Sequence, residues 1–460
     1  MNDTPKTMQY SSHCWPRIHA VMFFLMFVLQ MTQYYYSSVY SIIFPYIFSV
    51  ISVTAAVAYY AARGLGDGQE IKALTVYSCW VLITRIICGH VFEESDLLFV
   101  SGMYACCFSI ALAFQLNREQ RQKLFNVFVL LFAGIITFTG VVGIYAAVTQ
   151  TEPRIKLIGF TLELVTFKNE GGVLRLRLAD SHPNNSACWA FLSLFILINR
   201  LFAVRRKWIK VIIIISAIVN YLAMALTNCR TIFMCFAICF ALLVFLLIQN
   251  KTGIKKKGIQ NAVFIMTLII VTALAYKSID VSLKTINAFS VKNVAAQTLE
   301  DDTLFEDSRD VFGENSTLSP RVKIWKSIPY VLKKDPMILL RGSAQTGLMD
   351  VSCEVTKFDP AIGHYHNMFL NILMLTGVPG LIIVLAFLYI LIRKILLLLF
   401  SRKEEASLAE KTLALPLIGL IGYGATLEVL LFTETDIRAF AFFFIAGIML
   451  ADYRDLEIGK

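Results

Sequence analysis

Apolar runs of about 20 residues, recurring along most of the chain, constrain its fold more than any other feature. A run of that length crosses the hydrocarbon core of a bilayer as an α-helix, since only intrahelical bonds satisfy the backbone there. About twelve such runs fall near 20–36, 40–62, 72–92, 97–116, 124–149, 186–203, 208–226, 231–249, 261–277, 367–397, 412–431 and 433–451. The chain is 57% hydrophobic and 16% charged, with a mean hydropathy of +0.67, which excludes a soluble domain. No small-residue cleavage site follows the first run, so it reads as a retained span rather than a signal peptide.

The net charge of +10 is concentrated where topology uses it. With the N-terminus inside, the inner loops are 63–72, 118–123, 200–210, 251–257 and 393–411, each of them basic or containing several bases. The outer turns at 93–96 and 433–436 are acidic. This alternation predicts that both termini are cytoplasmic. Lys255, Lys256 and Lys257 belong to it, and no basic soluble domain is present, so nucleic acid is not an expected partner. The ten cysteines fall mostly inside apolar runs, among them Cys79, Cys88, Cys106, Cys107, Cys235 and Cys239. None makes a CxxC pair, and there they act as small hydrophobes.

The expected architecture is an all-α polytopic membrane protein of about twelve transmembrane helices with one large extracytoplasmic loop. Residues 1–277 hold helices one to nine, with a small external hairpin at 150–185. Residues 278–366 form the large loop, and 367–460 hold helices ten to twelve. The hairpin is read from the alternation in Val173-Leu174-Arg175-Leu176-Arg177-Leu178, joined to an earlier apolar stretch through Asn169-Glu170-Gly171-Gly172. The large loop contains an acidic stretch from Glu300 to Glu314. Ser319-Pro320 then opens an amphipathic helix, with Ile324, Trp325, Ile328, Val331 and Leu332 at helical spacing, and Pro336 stops it. No repeat relates the two halves of the chain, which weighs against a transporter built from paired repeats.

Chemistry concentrates in GHYHNMFLNILMLTGVPG, Gly363 to Gly380. His364 and His366 stand before a long apolar run, and Asn367 is suited to cap its helix. Gly377-Val378-Pro379-Gly380 then breaks the run. An imidazole titrates near neutral pH and suits general-base work on a sugar hydroxyl; the plainer reading is a wetted loop histidine. Arg230 ends Leu226-Thr227-Asn228-Cys229-Arg230 at the outer end of a span. It is either a snorkelling anchor or a guanidinium fork for a phosphate. Arg321, in the first turn of the amphipathic helix, is either a solvated face residue or a reach toward a lipid headgroup. Arg175, Arg177 and Arg341 are further phosphate or sugar candidates. Glu428 and Glu434 either orient an acceptor or face water. Arg85 lies mid-span, either paired across helices or bound to lipid phosphate.

Taken together, His366-Asn367, nine residues and Gly377-x-x-Gly380 resemble the signature of bacterial O-antigen ligases and the related O-antigen polymerases. Pro183-Asn184 before a span resembles a turn of that family. Arg230 resembles the arginine closing one of its middle spans. Arg321 followed by Trp325 resembles the arginine helix of its periplasmic loop, and the stretch from Pro336 to Gly342 the strand-like segment after it. The resemblance covers roughly 124–400, and the overall plan is similar to the C-type membrane glycosyltransferases. Leu381 and Ile382 stand where some ligases carry threonines, so ligase and polymerase both stay open.

The resemblance implies transfer of a glycan from undecaprenyl diphosphate to an acceptor hydroxyl, in surface polysaccharide synthesis at the outer face of the cytoplasmic membrane. His366 would be the catalytic base. Arg230 and Arg321 would bind the diphosphate, with His364, Asn367, Arg175, Arg177 and Arg341 as possible substrate contacts. No Asp-x-Asp pair marks the outer face, so neither metal nor cofactor is expected. The partners implied are the lipid-linked donor, a glycan or lipid acceptor, the bilayer and other polysaccharide-assembly proteins. The alternative reading is a transporter or flippase of lipid-linked sugars.

Overall fold

The computed structural model describes residues 6–33, 40–63, 68–89, 94–149, 151, 154–157, 160–170, 173–178, 182–252, 257–294, 319–343, 365–400, 407–426, 431–432 and 437–458. Fourteen α-helices and four short strands are found among them. The first helices are α1 (Lys6–Gln33), α2 (Tyr40–Arg63), α3 (Gln69–Cys88), α4 (Glu94–Gln115) and α5 (Arg118–Thr149). Strands β1 (Arg154–Leu157), β2 (Phe160–Glu163), β3 (Val165–Glu170) and β4 (Val173–Leu178) follow. Then come α6 (Pro183–Ala203), α7 (Lys207–Leu226), α8 (Arg230–Thr252) and α9 (Lys257–Val294). The chain continues with α10 (Ser319–Lys334), α11 (Ile338–Arg341), α12 (Met368–Phe400), α13 (Leu408–Thr426) and α14 (Ile437–Ile458). His364, the acidic stretch, Glu428 and Glu434 lie outside the described residues.

A helix occupies each of the twelve apolar runs. Six described helices are long and apolar enough to cross a membrane: α3, α5, α6, α7, α8 and α12. Apolar stretches of 10–17 residues lie in α1, α2, α4 and α9. The surface of α7 shows why lipid is the fitting solvent. Ile212, Ile215 and Ile218 recur along one face, each more than half exposed. Such a stripe would be costly against water and costs nothing against acyl chains.

The chain divides into two compact units. One comprises Met1–Leu124, Asp310–Leu398 and Gly424–Lys460. In it α1 packs on α2, α2 on α4, and α4 on α14. Phe440, Phe442, Phe443 and Phe444 of α14 are all fully buried. Phe444 stacks on Phe23 at 4.8 Å, and Phe443 meets Phe432 edge-on at 5.4 Å. Arg121 is buried and donates to Asp452 and Asp455, which ties the start of α5 to the end of α14.

The other unit comprises Phe125–Arg309 and Leu399–Tyr423. Here α6 packs on α7 and α8 on α9. Polar side chains join its helices: Asn220 Nδ2 donates to Thr137 Oγ1 at 2.8 Å, and Asn199 Nδ2 donates to the Ala409 carbonyl at 2.5 Å. Between apolar surfaces such bonds fix which helix faces meet.

Four expectations change. Where one hairpin is expected there are two, β1 with β2 and β3 with β4, each antiparallel. The first is hidden in the sequence because its strands are only four residues long. The stretch from Pro336 to Gly342 is not strand-like. Leu339 N reaches Pro336 O and Arg341 N reaches Met337 O, which makes a single helical turn. Arg85 is not mid-span. Gly89 takes a left-handed C-cap at φ 80°, ends α3 at Cys88 and leaves Arg85 in the last turn. A cation there meets the negative end of the helix dipole. Arg230 does not close a span: α7 ends at Leu226, and Arg230 is the first residue of α8.

Candidate functional site

His366, Asn367, Arg321 and Arg341 belong to the first unit, and Arg230, Arg175 and Arg177 to the second. Each group has a geometry of its own.

In the first unit, α10 provides the platform. Ile324, Ile328 and Val331 bury one face, while Lys326, Lys333 and Lys334 remain exposed on the other. The buried face joins Ile338, Tyr365 and Met374 in one cluster, with Trp325, Leu332 and Leu370 packed around it. Arg321 lies one turn before Trp325 and is half-buried.

Tyr365 enters this cluster as a buried side chain, and both of its main-chain groups are held. Its N–H donates to Asn371 Oδ1 at 2.9 Å. Its carbonyl accepts the Trp325 indole N–H at 2.8 Å. The next residue, His366, has φ 49°, in the left-handed region. Histidine tolerates that region better than most residues, yet it remains sparsely populated. Asn367 then caps α12 as expected, its Oδ1 accepting from Phe369 N at 3.0 Å and Leu370 N at 3.1 Å. The amide of Asn367 also donates to the Ala425 carbonyl at 2.7 Å. A left-handed residue before a capped helix turns the chain sharply, and His366 stands at the mouth of α12, directly before its cap.

The glycine break expected in this run is present, at Gly377 with φ 71° and ψ −176°. That conformation is essentially confined to glycine. With Pro379 it interrupts the helical ladder, and the released carbonyls find partners elsewhere. Met374 O accepts from Ser343 N at 2.9 Å and Ser343 Oγ at 3.1 Å. Thr376 O accepts from the Trp80 indole at 2.7 Å. Gly342, with φ 71°, lies against the same break. A Cβ there would stand 2.2 Å from the Leu375 carbonyl oxygen. Arg341, beside it, donates to Asp335 at 3.0 Å in a half-exposed pair.

In the second unit, Arg175 of β4 is buried and joins three elements. Its Nε donates to the Thr227 carbonyl at 2.8 Å, and an Nη donates to Asn184 Oδ1 at 2.6 Å. The Thr227 contact satisfies a carbonyl at the end of α7, where the helix leaves acceptors open. Asn184 lies in the first turn of α6, after a cap in which His182 Nδ1 accepts from Asn184 N at 3.2 Å. The Asn184 carbonyl accepts from the Tyr423 hydroxyl at 3.1 Å. Arg177, two residues along β4, is half-buried and pairs across the hairpin with Thr166. Asn228 takes φ 48° in the tight turn after α7, and Arg230 follows at the head of α8. A cationic residue thus opens the helix whose N-terminal end carries the positive dipole, an arrangement that favours an anion.

The supporting residues are those the sequence reading left out. Asn371, Tyr365, Trp80 and Ser343 fix the His366 turn and the break behind it. Asn371 carries one faint signal in the sequence: it lies four residues after Asn367, so two asparagines share one face at the start of an apolar helix.

A family model described as O-antigen ligase matches residues 212–385. The matched segment contains Arg230, Arg321, Arg341, His364, His366 and Asn367, and it ends before Arg175 and Arg177 are reached on its N-terminal side. No curated protein and no solved structure matches the chain.

Proposed function

From the match of residues 212–385 to a family model described as O-antigen ligase, we propose that this chain belongs to that family and transfers a glycan from undecaprenyl diphosphate to an acceptor hydroxyl. In this reading the acceptor oxygen bonds to the anomeric carbon while the bond from that carbon to the diphosphate oxygen breaks. The hydroxyl proton passes to His366, and undecaprenyl diphosphate leaves as the anion. The diphosphate is a good leaving group, so the catalytic demands are a base for the nucleophile and positive charge for the departing phosphates. His366 is the base. Arg230 and Arg321 hold the diphosphate, and Arg230 does so with the dipole of α8 behind it. Further contacts to sugar or phosphate fall to His364, Asn367, Arg177 and Arg341. Arg175, already engaged by Thr227 and Asn184, supports the turn from which Arg230 projects.

The observation that carries this reading is the backbone of His366. A left-handed residue costs on the order of 1–3 kcal/mol and persists where its surroundings over-determine it. Here a capped helix follows it, and the preceding residue is bonded at both main-chain groups. That degree of constraint suits a base that must meet a hydroxyl in one geometry.

Topology and metal dependence test the reading directly. The twelve-span plan puts both termini in the cytoplasm and His366 on the outer face of the cytoplasmic membrane. Reporter fusions after Lys257 and Lys411 are therefore cytoplasmic, and one at Asp310 is external. A cytoplasmic signal at Asp310 sinks the assignment. Transfer by the purified protein persists in excess chelator, because arginines neutralise the diphosphate. Loss in EDTA with recovery in Mg²⁺ or Mn²⁺ rejects that role. The acceptor is read from a deletion strain: single repeat units on the final acceptor mark a lost polymerase, and full chains stranded on the carrier lipid mark a lost ligase.

A further inference from the structure

We propose that Trp325 and Asn371 are positioning residues that hold the catalytic turn at His366, and that Trp325 links this turn to the helix carrying Arg321. The inference rests on His366 being the base.

The residue before His366 is clamped from two sides. The Tyr365 N–H donates to Asn371 Oδ1 at 2.9 Å, from the first turn of α12. The Tyr365 carbonyl accepts the Trp325 indole N–H at 2.8 Å, from α10. That carbonyl belongs to the peptide bond joining Tyr365 to His366, so the indole fixes the plane from which the histidine departs. The next rotation along the chain is the left-handed φ of 49°. With both main-chain groups of Tyr365 bonded and Asn367 capping the helix, little freedom is left in the turn. Both clamping residues belong to elements that are themselves well packed. Asn371 is buried in α12, and Trp325 packs on the cluster of Ile324, Ile328, Val331, Ile338, Tyr365 and Met374.

The second part follows from helical spacing. Arg321 and Trp325 are four residues apart in α10, so they share a face, with roughly 5–6 Å between Cβ atoms. One helix therefore presents the arginine proposed for the diphosphate and, one turn later, the indole that holds the base's peptide. A bond of this kind keeps the leaving-group contact and the base in register. Displacement of a reacting group by about 1 Å costs as much as 10²-fold in rate.

The test compares Trp325→Phe with Leu332→Ala in the full-length protein. Trp325→Phe removes the indole N–H and keeps an aromatic ring in the cluster. Leu332→Ala removes packing from the same cluster and leaves both clamp bonds intact. We expect Trp325→Phe to lower kcat by about 10- to 100-fold with the donor KM unchanged within twofold. Amide exchange in peptides covering 365–371 rises in that variant. Leu332→Ala lowers thermal stability but keeps kcat within threefold of wild type. Asn371→Leu gives the same kcat loss and the same local exchange if it folds; Trp325→Phe carries the test if it does not. Unchanged exchange at 365–371 in Trp325→Phe, or faster exchange without a fall in kcat, overturns the inference. So does an equal kcat loss in Leu332→Ala. His366→Ala, assayed in parallel, separates the two levels. If it is inactive while Trp325→Phe is fully active, the clamp fails and the base assignment stands. If it is active, the base assignment fails and the positioning role falls with it.

Discussion

If His366 is the base we propose, its replacement with alanine is expected to lower glycan transfer by ~10²–10⁴-fold, the usual contribution of a positioned base to a proton transfer in the transition state. A sugar hydroxyl is a weak nucleophile, and in the proposed reaction removing its proton as it attacks is the step that calls for a side-chain acceptor. The protein still inserts in the membrane and still binds the lipid-linked donor, since the proposed diphosphate contacts are arginines. The fold also survives. The cap from Asn367 and the clamp on Tyr365 do not involve the imidazole. His364→Ala is milder. Binding of a lipid-linked donor and transfer to acceptor, measured separately on purified variants, distinguish the outcomes. Near-normal transfer in His366→Ala with a dead His364→Ala moves the base to His364. Activity in both variants removes the histidines from the mechanism.

Gly342→Ala is expected to be the most damaging single-methyl change in the described part of the first unit. Gly342 has φ 71°, and an added Cβ would lie 2.2 Å from the Leu375 carbonyl oxygen, 2.4 Å from its carbon and 2.5 Å from Thr376 N. All three are backbone atoms, so no side chain can swing aside. The backbone conformation costs a non-glycine residue on the order of 1–3 kcal/mol, and overpacking adds about as much again. A loss of roughly 2–6 kcal/mol is therefore expected, read as a large fall in the thermal midpoint of the detergent-solubilised protein. The approach is reciprocal: a Cβ on Gly377 would lie 2.8 Å from the Leu340 carbonyl oxygen. Gly377→Ala should thus fail in the same way, whereas Gly134→Ala, with open space at its Cβ, should not. A midpoint for Gly342→Ala within a degree or two of wild type would show that the α11–α12 crossing can open to admit a methyl group.

This crossing also bears on function. Ser343, next to Gly342, takes up the Met374 carbonyl released by the break in α12. Met374 and Ile338 belong to the cluster that receives Tyr365. A change at Gly342 therefore reaches the His366 turn through packed atoms, and part of any lost activity in that variant is mechanical. The His366 and Trp325 variants are the cleaner probes of chemistry for that reason.

What the sequence by itself determined is the one-dimensional part. The apolar runs mark where helices form, and six of the described helices are long and apolar enough to cross a bilayer, where a backbone has few other ways to satisfy its polar groups. Asn367 as a cap and Gly377 as a break were legible for a similar local reason: capping acts over three residues, and glycine is nearly alone in its backbone region. Alternation in 173–178 was enough to show β4, while the four-residue strands of the first hairpin were too short to leave a pattern. Tertiary structure alone decided the rest. That Arg175 donates to Thr227 as well as to nearby Asn184 depends on the end of α7, 52 residues along the chain, meeting β4 and the start of α6 at one point. That the Trp325 indole reaches the carbonyl of Tyr365, 40 residues away, depends on α10 packing its apolar face where the loop before α12 returns. Periodicity reports which face of a helix is apolar; it carries no information about which peptide group will be waiting there.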